Sequence, residues 1–127
     1  MRSFSASIIR CYEEDGVLFV AVGDNAVDPD NFLIISRLDD EDNASPDDGI
    51  GLQTSGAECE VVGAIKKVVL NEYGLRVEVK SEFVKHFGGA SILAEMSGLP
   101  PLALVEVELL RKAIKEIFEG SSVILVI

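Results

Sequence analysis

Apolar residues fall along the chain in short runs separated by polar, turn-forming stretches, and the spacing within most runs predicts strands. Phe4 to Tyr12 and Val17 to Val22 read as the arms of a hairpin whose turn is "EEDG", ending in Gly16. "GDNAVDPDN" (23–31) is a loop by composition, because Asp and Asn bond to nearby backbone and Pro29 lacks the N–H a sheet ladder needs. "FLIISRL" (32–38) is apolar nearly throughout rather than alternating, which predicts a central strand covered on both faces. "IGLQTS" (50–55) is expected to pair back as a fourth strand. "CEVVGAIKKVVL" (59–70) fits strand or helix spacing. Its Val and Ile content favours a strand, as does Gly63, which would cost a helix about 1 kcal/mol.

After the turn "NEYG" (71–74), "LRVEVK" (75–80) alternates strictly. Leu75, Val77 and Val79 share one face and Arg76, Glu78 and Lys80 the other, the pattern of a half-buried antiparallel strand. "SEFVKHFGG" (81–89) suggests one or two helical turns with Ser81 as N-cap and Gly88 as terminator. "ASILAEM" (90–96) reads as a strand and "SGLPP" (97–101) as a firm break. "VEVELLRKAIKEIFEG" is the clearest helix. Leu109, Leu110, Ala113, Ile114 and Ile117 form its apolar side, Glu108 and Lys112 an i, i+4 pair, and Gly120 its end. "SSVILVI" (121–127) is a last short strand or apolar packing under the helix. Together these elements predict an α+β fold: a curved, mostly antiparallel sheet of six to seven strands packed with one C-terminal amphipathic helix. With 127 residues and neither repeat nor linker, residues 1–127 read as a single domain.

Composition agrees with that picture, since 48% apolar and 26% charged residues suit a globular core. The longest clear apolar run, Val17 to Val22, falls far short of the ~20 residues of a membrane span, and Arg10 with the acids after it interrupts any hydrophobic leader. A cytoplasmic protein with no membrane partner is expected. Cys11 and Cys59 each sit in an apparent strand, outside any CxxC or zinc spacing, and read as reduced core residues.

Charge changes the picture more. Residues 1–60 hold 14 acids and three arginines, 3 − 14 = −11, whereas residues 61–127 hold eight charges of each sign. The whole net charge of −11 therefore lies in the first half. Nucleic acid is a poor partner for it, because phosphate binding needs Lys and Arg. A protein with a basic surface is a good one, because a field of one sign steers association.

The acids are densest in "SRLDDEDNASPDDGIG" (36–51), at Asp39, Asp40, Glu41, Asp42, Asp47 and Asp48. An EF-hand needs glycine at position 6 and glutamate at position 12. Counting from Asp39 those positions are Ala44 and Ile50, and from Asp24 they are Pro29 and Ile35. No metal site is therefore assigned, although a small ligand- or Ca²⁺-binding regulatory module using residues 39–48 is the alternative reading. The chain has no GxSxG elbow and neither glycine-rich nucleotide motif, no local signature surrounds either cysteine, and the lone His86 has no placed partner. No catalytic or cofactor-binding residue is assigned, and the expected role is binding rather than catalysis.

The order of "NFLIISR", an acidic run, "DDGIGLQTS", "VVGAIKKVVLNEYGLRVEV" and a helix ending "LRKAIKEIFEG" resembles the immunity protein 10 family of bacterial polymorphic-toxin systems. The matching features are Leu33 to Arg37, Asp48 and Gly51, Gly63 and Ala64, and Leu110 through Phe118, over about residues 30 to 120. The chain departs from that pattern by the insertion of "NASP" and by a lack of aromatic residues on the strand after it. The resemblance implies a non-catalytic antitoxin that binds and neutralises a cognate protein toxin. Under it, Asp39, Asp40, Glu41, Asp42, Asp47 and Asp48 meet a basic toxin surface, Arg37 is a structural ion-pair partner, and an apolar or aromatic centre including Phe32 or Tyr12 carries most of the affinity.

Overall fold

Period-two apolar patterning over most of the chain produces ten strands among the described residues (2–39, 42–57, 59–96 and 104–127) of the computed structural model. They are β1 (Arg2–Ser5), β2 (Ile8–Glu14), β3 (Val17–Gly23), β4 (Phe32–Leu38), β5 (Ile50–Thr54), β6 (Val61–Val62), β7 (Ile65–Asn71), β8 (Gly74–Val79), β9 (Ser91–Glu95) and β10 (Ile124–Val126). Two helices, α1 (Val84–Phe87) and α2 (Leu104–Ile117), lie in the second half. The break assigned to 97–101 lies outside the described residues.

The α+β class holds, but one curved sheet of six to seven strands does not. The strands form two five-stranded sheets. Sheet I runs β2-β3-β4-β5-β6 and is antiparallel throughout. Sheet II runs β1-β9-β8-β7-β10, with β1 parallel to β9 and β10 parallel to β7. The difference arises because two stretches that read as single strands each change sheet part-way. Ala6 N–H donates to Glu95 O in sheet II (2.8 Å), and the next residue, Ser7, donates to Gly23 O in sheet I (2.9 Å). At the second corner Gly63 N–H donates to Ile50 O in sheet I (3.1 Å), while Ala64 O accepts from Lys80 N–H in sheet II (2.8 Å). Gly63 holds φ +69°, a left-handed conformation that a side chain disfavours.

The inner faces of both sheets contribute to one hydrophobic cluster: Val20, Leu33, Ile35 and Leu52 from sheet I, and Val68, Leu75, Val77 and Ala94 from sheet II, all fully buried. β4 is central, as its sequence suggests, but its cover is one-sided: Leu33 and Ile35 are buried while Phe32 and Ile34 opposite are only half-buried. In β8 the alternation holds, with Leu75, Val77 and Val79 inward.

Helix α2 packs against β2 and β3 through Leu110, Ile114 and Ile117. Leu109 is exposed rather than part of that face, and Glu108 pairs with Arg111 one turn away (3.8 Å), not with Lys112. The helix ends at Ile117, and Gly120 turns the chain at φ +76°. Ser81 starts a short 3₁₀ turn without capping it, whereas Gly88 does terminate α1 in a left-handed conformation. Cys59 is exposed and outside any strand, so only the half-buried Cys11 fits the expectation of a packed thiol. No helix among the described residues is long and apolar enough to cross a membrane.

The corner at Gly63 can be tested directly. A Cβ there would meet nothing closer than Asp47 O at 4.0 Å, so Gly63→Ala is expected to cost only the conformational term, about 1–2 kcal/mol. Urea denaturation measures it; an unchanged midpoint would mean that the corner does not need the left-handed backbone.

Candidate functional site

The acidic segment leaves β4 at Leu38 and returns through a 3₁₀ turn (Pro46–Gly49) into β5. Its first acid is set by Arg37, the next-to-last residue of β4. Arg37 Nε donates to Asp39 Oδ1 (2.8 Å), and Nη1 donates to the carbonyl oxygens of Glu119 (2.6 Å), Ile117 (2.8 Å) and Glu116 (3.4 Å). These carbonyls lie in and just beyond the last turn of α2, where helical backbone leaves acceptors unpaired and a cation is favoured. The Arg37 side chain is 12% exposed and Asp39 is 77% exposed, so the pair presents its carboxylate outward. The sequence expectation that Arg37 is structural thus acquires a partner, Asp39, and a second role as a helix terminator.

The remaining acids divide. Asp40 and Glu41 lie outside the described residues. Asp42 is exposed. Asp48 is exposed and closes the 3₁₀ turn by accepting from Ser45 N–H (3.3 Å). Asp47 points the other way: Oδ1 accepts from Ser121 Oγ (2.5 Å) and Ser122 N–H (3.1 Å), and Oδ2 from Ser122 Oγ. Burial pushes the Asp47 pKa up, but these hydrogen bonds, with Lys80 nearby, outweigh it and hold the carboxyl below the usual carboxylate range. Asp47 is therefore a tie to the C-terminal strand, a role no local pattern reveals because its partners lie more than 70 residues away.

At the opposite end of β4, the 24–31 loop carries a second set of acids. Asp24 Oδ2 accepts from the Asn31 side chain (3.0 Å) and backbone N–H (3.2 Å), and the side-chain bond is the main cause of its lowered pKa. Asp28 and Asp30 are exposed. Strand topology now localises the charge. Ile8 to Val62, the segment that forms sheet I and its loops, holds 14 acids and two arginines, 2 − 14 = −12. The rest of the chain sums to −11 + 12 = +1.

Between the acidic ends lies the outer face of sheet I. Register places Tyr12 beside Phe19, Phe19 beside Ser36, Ser36 beside Gly51 and Gly51 beside Val62. Tyr12 and Phe19 stack at 4.9 Å with 17° between their planes. Ser36 donates to Glu60 Oε1 (2.6 Å), and the Glu60 side chain lies over Gly51, where a Cβ would overlap it. Phe32 and Tyr12, the two aromatic candidates from sequence, share this face. Phe19, Ile34 and Arg10 also belong to it, and only Ile34 has a sequence signal, the near-continuous apolar run of β4.

Of the two cysteines, the structure brings Cys59 near the histidine. His86 is beside Cys59, but its Nε2 bonds to the Cys59 backbone oxygen (3.2 Å) rather than to sulfur. Burial, and then the charge of Glu106, push the Cys11 thiol up, opposite to what a reactive thiolate needs. Among the described residues no group of three or more His, Cys, Asp or Glu is placed to hold a metal.

Two variants check these ties. Arg37→Ala is expected to lose about 2 kcal/mol, with faster amide exchange in the last turn of α2, because the carbonyls at the helix end lose a charged donor. Asp47→Asn is expected to lose about 1 kcal/mol near neutral pH. A carboxyl whose folded pKa is depressed stabilises above the unfolded value, about 3.9, and that stability is lost as pH falls through the folded value. The difference between wild type and Asp47→Asn in urea denaturation should therefore be full at pH 7 and shrink below about pH 4. Neither a family model nor a curated protein matches this sequence, so the chemistry of the face itself carries the functional reading.

Proposed function

We propose that this protein is a non-catalytic immunity-type inhibitor that binds a cognate protein toxin with a basic surface and neutralises it in the cytoplasm of the producing cell. The observation that carries the reading is the segregation of charge: sheet I and its loops hold −12 and the remainder of the chain +1. Like charges gathered on one side of a small protein cost stability by self-repulsion, and their compensation is long-range attraction to a partner of opposite sign. The resemblance to the immunity protein 10 family supports the same partner class. Carboxylates on such a face would occupy the places that phosphates take in a basic substrate cleft, which blocks the cleft without chemistry.

Within the acidic segment the residues divide their work. Asp39, Asp42 and Asp48 present carboxylates to solvent, and Asp40 and Glu41 belong to the same run. Asp47 fixes the segment against Ser121 and Ser122 and contributes through position rather than contact. Arg37 fixes it against α2.

The test is co-expression with the toxin encoded beside this gene, followed by kinetics with the purified pair. Neutralising Asp39, Asp40, Glu41, Asp42 and Asp48 together, to Asn or Gln, is expected to slow association at low salt at least tenfold. Wild-type association should slow towards the variant's as salt rises. Unchanged protection together with salt-insensitive binding would reject the electrostatic mechanism.

A further inference from the structure

An antiparallel sheet with one solvated face alternates apolar and polar residues, and sheet I does not. Its inner face is buried, yet its outer face is also largely apolar: Ile8 and Tyr12 on β2, Val17, Phe19 and Ala21 on β3, and Phe32, Ile34 and Leu38 on β4. Tyr12 is 45% exposed, Leu38 47% and Val62 55%. The outer face of sheet II differs, with Lys67, Arg76 and Glu78 on it and an Arg76–Glu78 ion pair at 3.4 Å.

The apolar face is hollowed at two places. A cavity of about 470 Å³ is walled by Ile8, Arg10, Tyr12, Ala21, Phe32 and Ile34 and reaches the 24–31 loop at Asn25 and Pro29. A second, of about 320 Å³, is walled by Val17, Phe19, Ser36, Leu38 and Val62 and reaches the acidic segment at Asn43 and Asp48. The stacked Tyr12–Phe19 pair borders both. The 24–31 loop at one end of the trough carries Asp28 and Asp30, and Asp48 lines the other end, in the segment that also carries Asp39 and Asp42. The trough holds one cation, Arg10, exposed and without an ion pair among the described residues, whereas Arg37 is spent on Asp39 and α2.

We infer that the outer face of sheet I is the docking face, and that its occupant is a basic segment of the partner protein that seats an aromatic side chain in the larger hollow against Arg10. Lysines or arginines flanking that side chain meet the acids at the two ends of β4. This inference rests on the reading that the partner is a basic protein, and it adds where that protein binds and what it presents. Apolar walls around an unpaired guanidinium suit an aromatic ring, which offers area for burial and a π face for the cation. A second copy is disfavoured, because the two faces would bring like charge together. The distance also fits: seven residues of β4 at about 3.3 Å each give about 20 Å, the span of an extended heptapeptide.

The probe is the synthetic peptide Lys-Lys-Ser-Trp-Ser-Lys-Lys, compared with the same peptide carrying Ala for Trp. The protein has no tryptophan, so the peptide's indole is the only one in the sample. Binding is expected with a blue-shifted indole emission and at least tenfold tighter than for the Ala peptide. Ile34→Ser and Arg10→Ser should each weaken the Trp peptide at least tenfold, while Arg76→Ser on sheet II should not. Arg10 is exposed, so its variant keeps the test intact should Ile34→Ser unfold the sheet. Equal affinity for the two peptides, or no loss in Arg10→Ser, overturns the proposal. Hydrogen exchange with the toxin encoded beside the gene separates the two readings. Protection confined to sheet II or α2 overturns the docking face and leaves the inhibitor reading standing. No toxin binding, with the Trp peptide still held at the trough, rejects the toxin and supports the face.

Discussion

Two apolar sheet faces are buried here by closing on each other and on α2, and the chain meets that constraint at two corners one peptide wide. At Ala6–Ser7 and again at Gly63–Ala64, consecutive residues bond to different sheets, so backbone pairing continues from one sheet to the other as the chain crosses between them. Everything else is arranged around that closure. Sheet I is made between the two corners and is therefore continuous in sequence, while sheet II collects what comes before and after. This is why a charge bias along the sequence becomes a charge bias between faces. Without the corners, the 14 acids of Ile8 to Val62 would not share one sheet and its loops.

The closure alone would leave the acidic segment free to move away from its own repulsion, and two ties prevent it. Arg37 joins Asp39 to the carbonyls at the end of α2, and Asp47 joins the segment to the serines before β10. Both use charged groups in partly buried positions, where hydrogen bonds to ions contribute most. Both also connect sheet I to the part of the chain that carries no net charge. Asp39 and Asp47 are thereby held at fixed places.

Legibility in the sequence follows the range of the interaction. The β2–β3 hairpin, the return of β5 onto β4, the alternation of β8 and the apolar stripe of α2 rest on neighbours or near neighbours, and the residue pattern contains them. The corner at Ala6–Ser7 has no local mark, since alternation continues through it. Gly63 did have one, its need for a left-handed backbone, but it also fits a simple weakening of a helix. The parallel pairings of β1 with β9 and β10 with β7 join residues dozens apart, and nothing in either strand specifies the partner. At the site, charge asymmetry was countable, and Phe32 and Tyr12 could be named as aromatic candidates. That they share a face with Phe19, Ile34 and Arg10 required the register. The role of Asp47 required Ser121 and Ser122, which only the folded chain brings to it.

Charge and apolar surface on this face have different ranges, and that difference bears on selectivity. At physiological ionic strength the Debye length is about 8 Å, whereas the two acidic ends of β4 are about 20 Å apart. Each end therefore attracts its own counter-charge nearly independently, and a partner with a single basic patch would engage one end only. A partner with two patches at the matching spacing engages both and lowers its midpoint onto the apolar trough. Contact there would exclude water and slow dissociation, because desolvated aromatic and aliphatic contacts are not screened by salt. On the proposed reading, spacing of charge would select the partner and the trough would retain it, and the apolar face and the acids could act together because β4 holds them at a fixed distance.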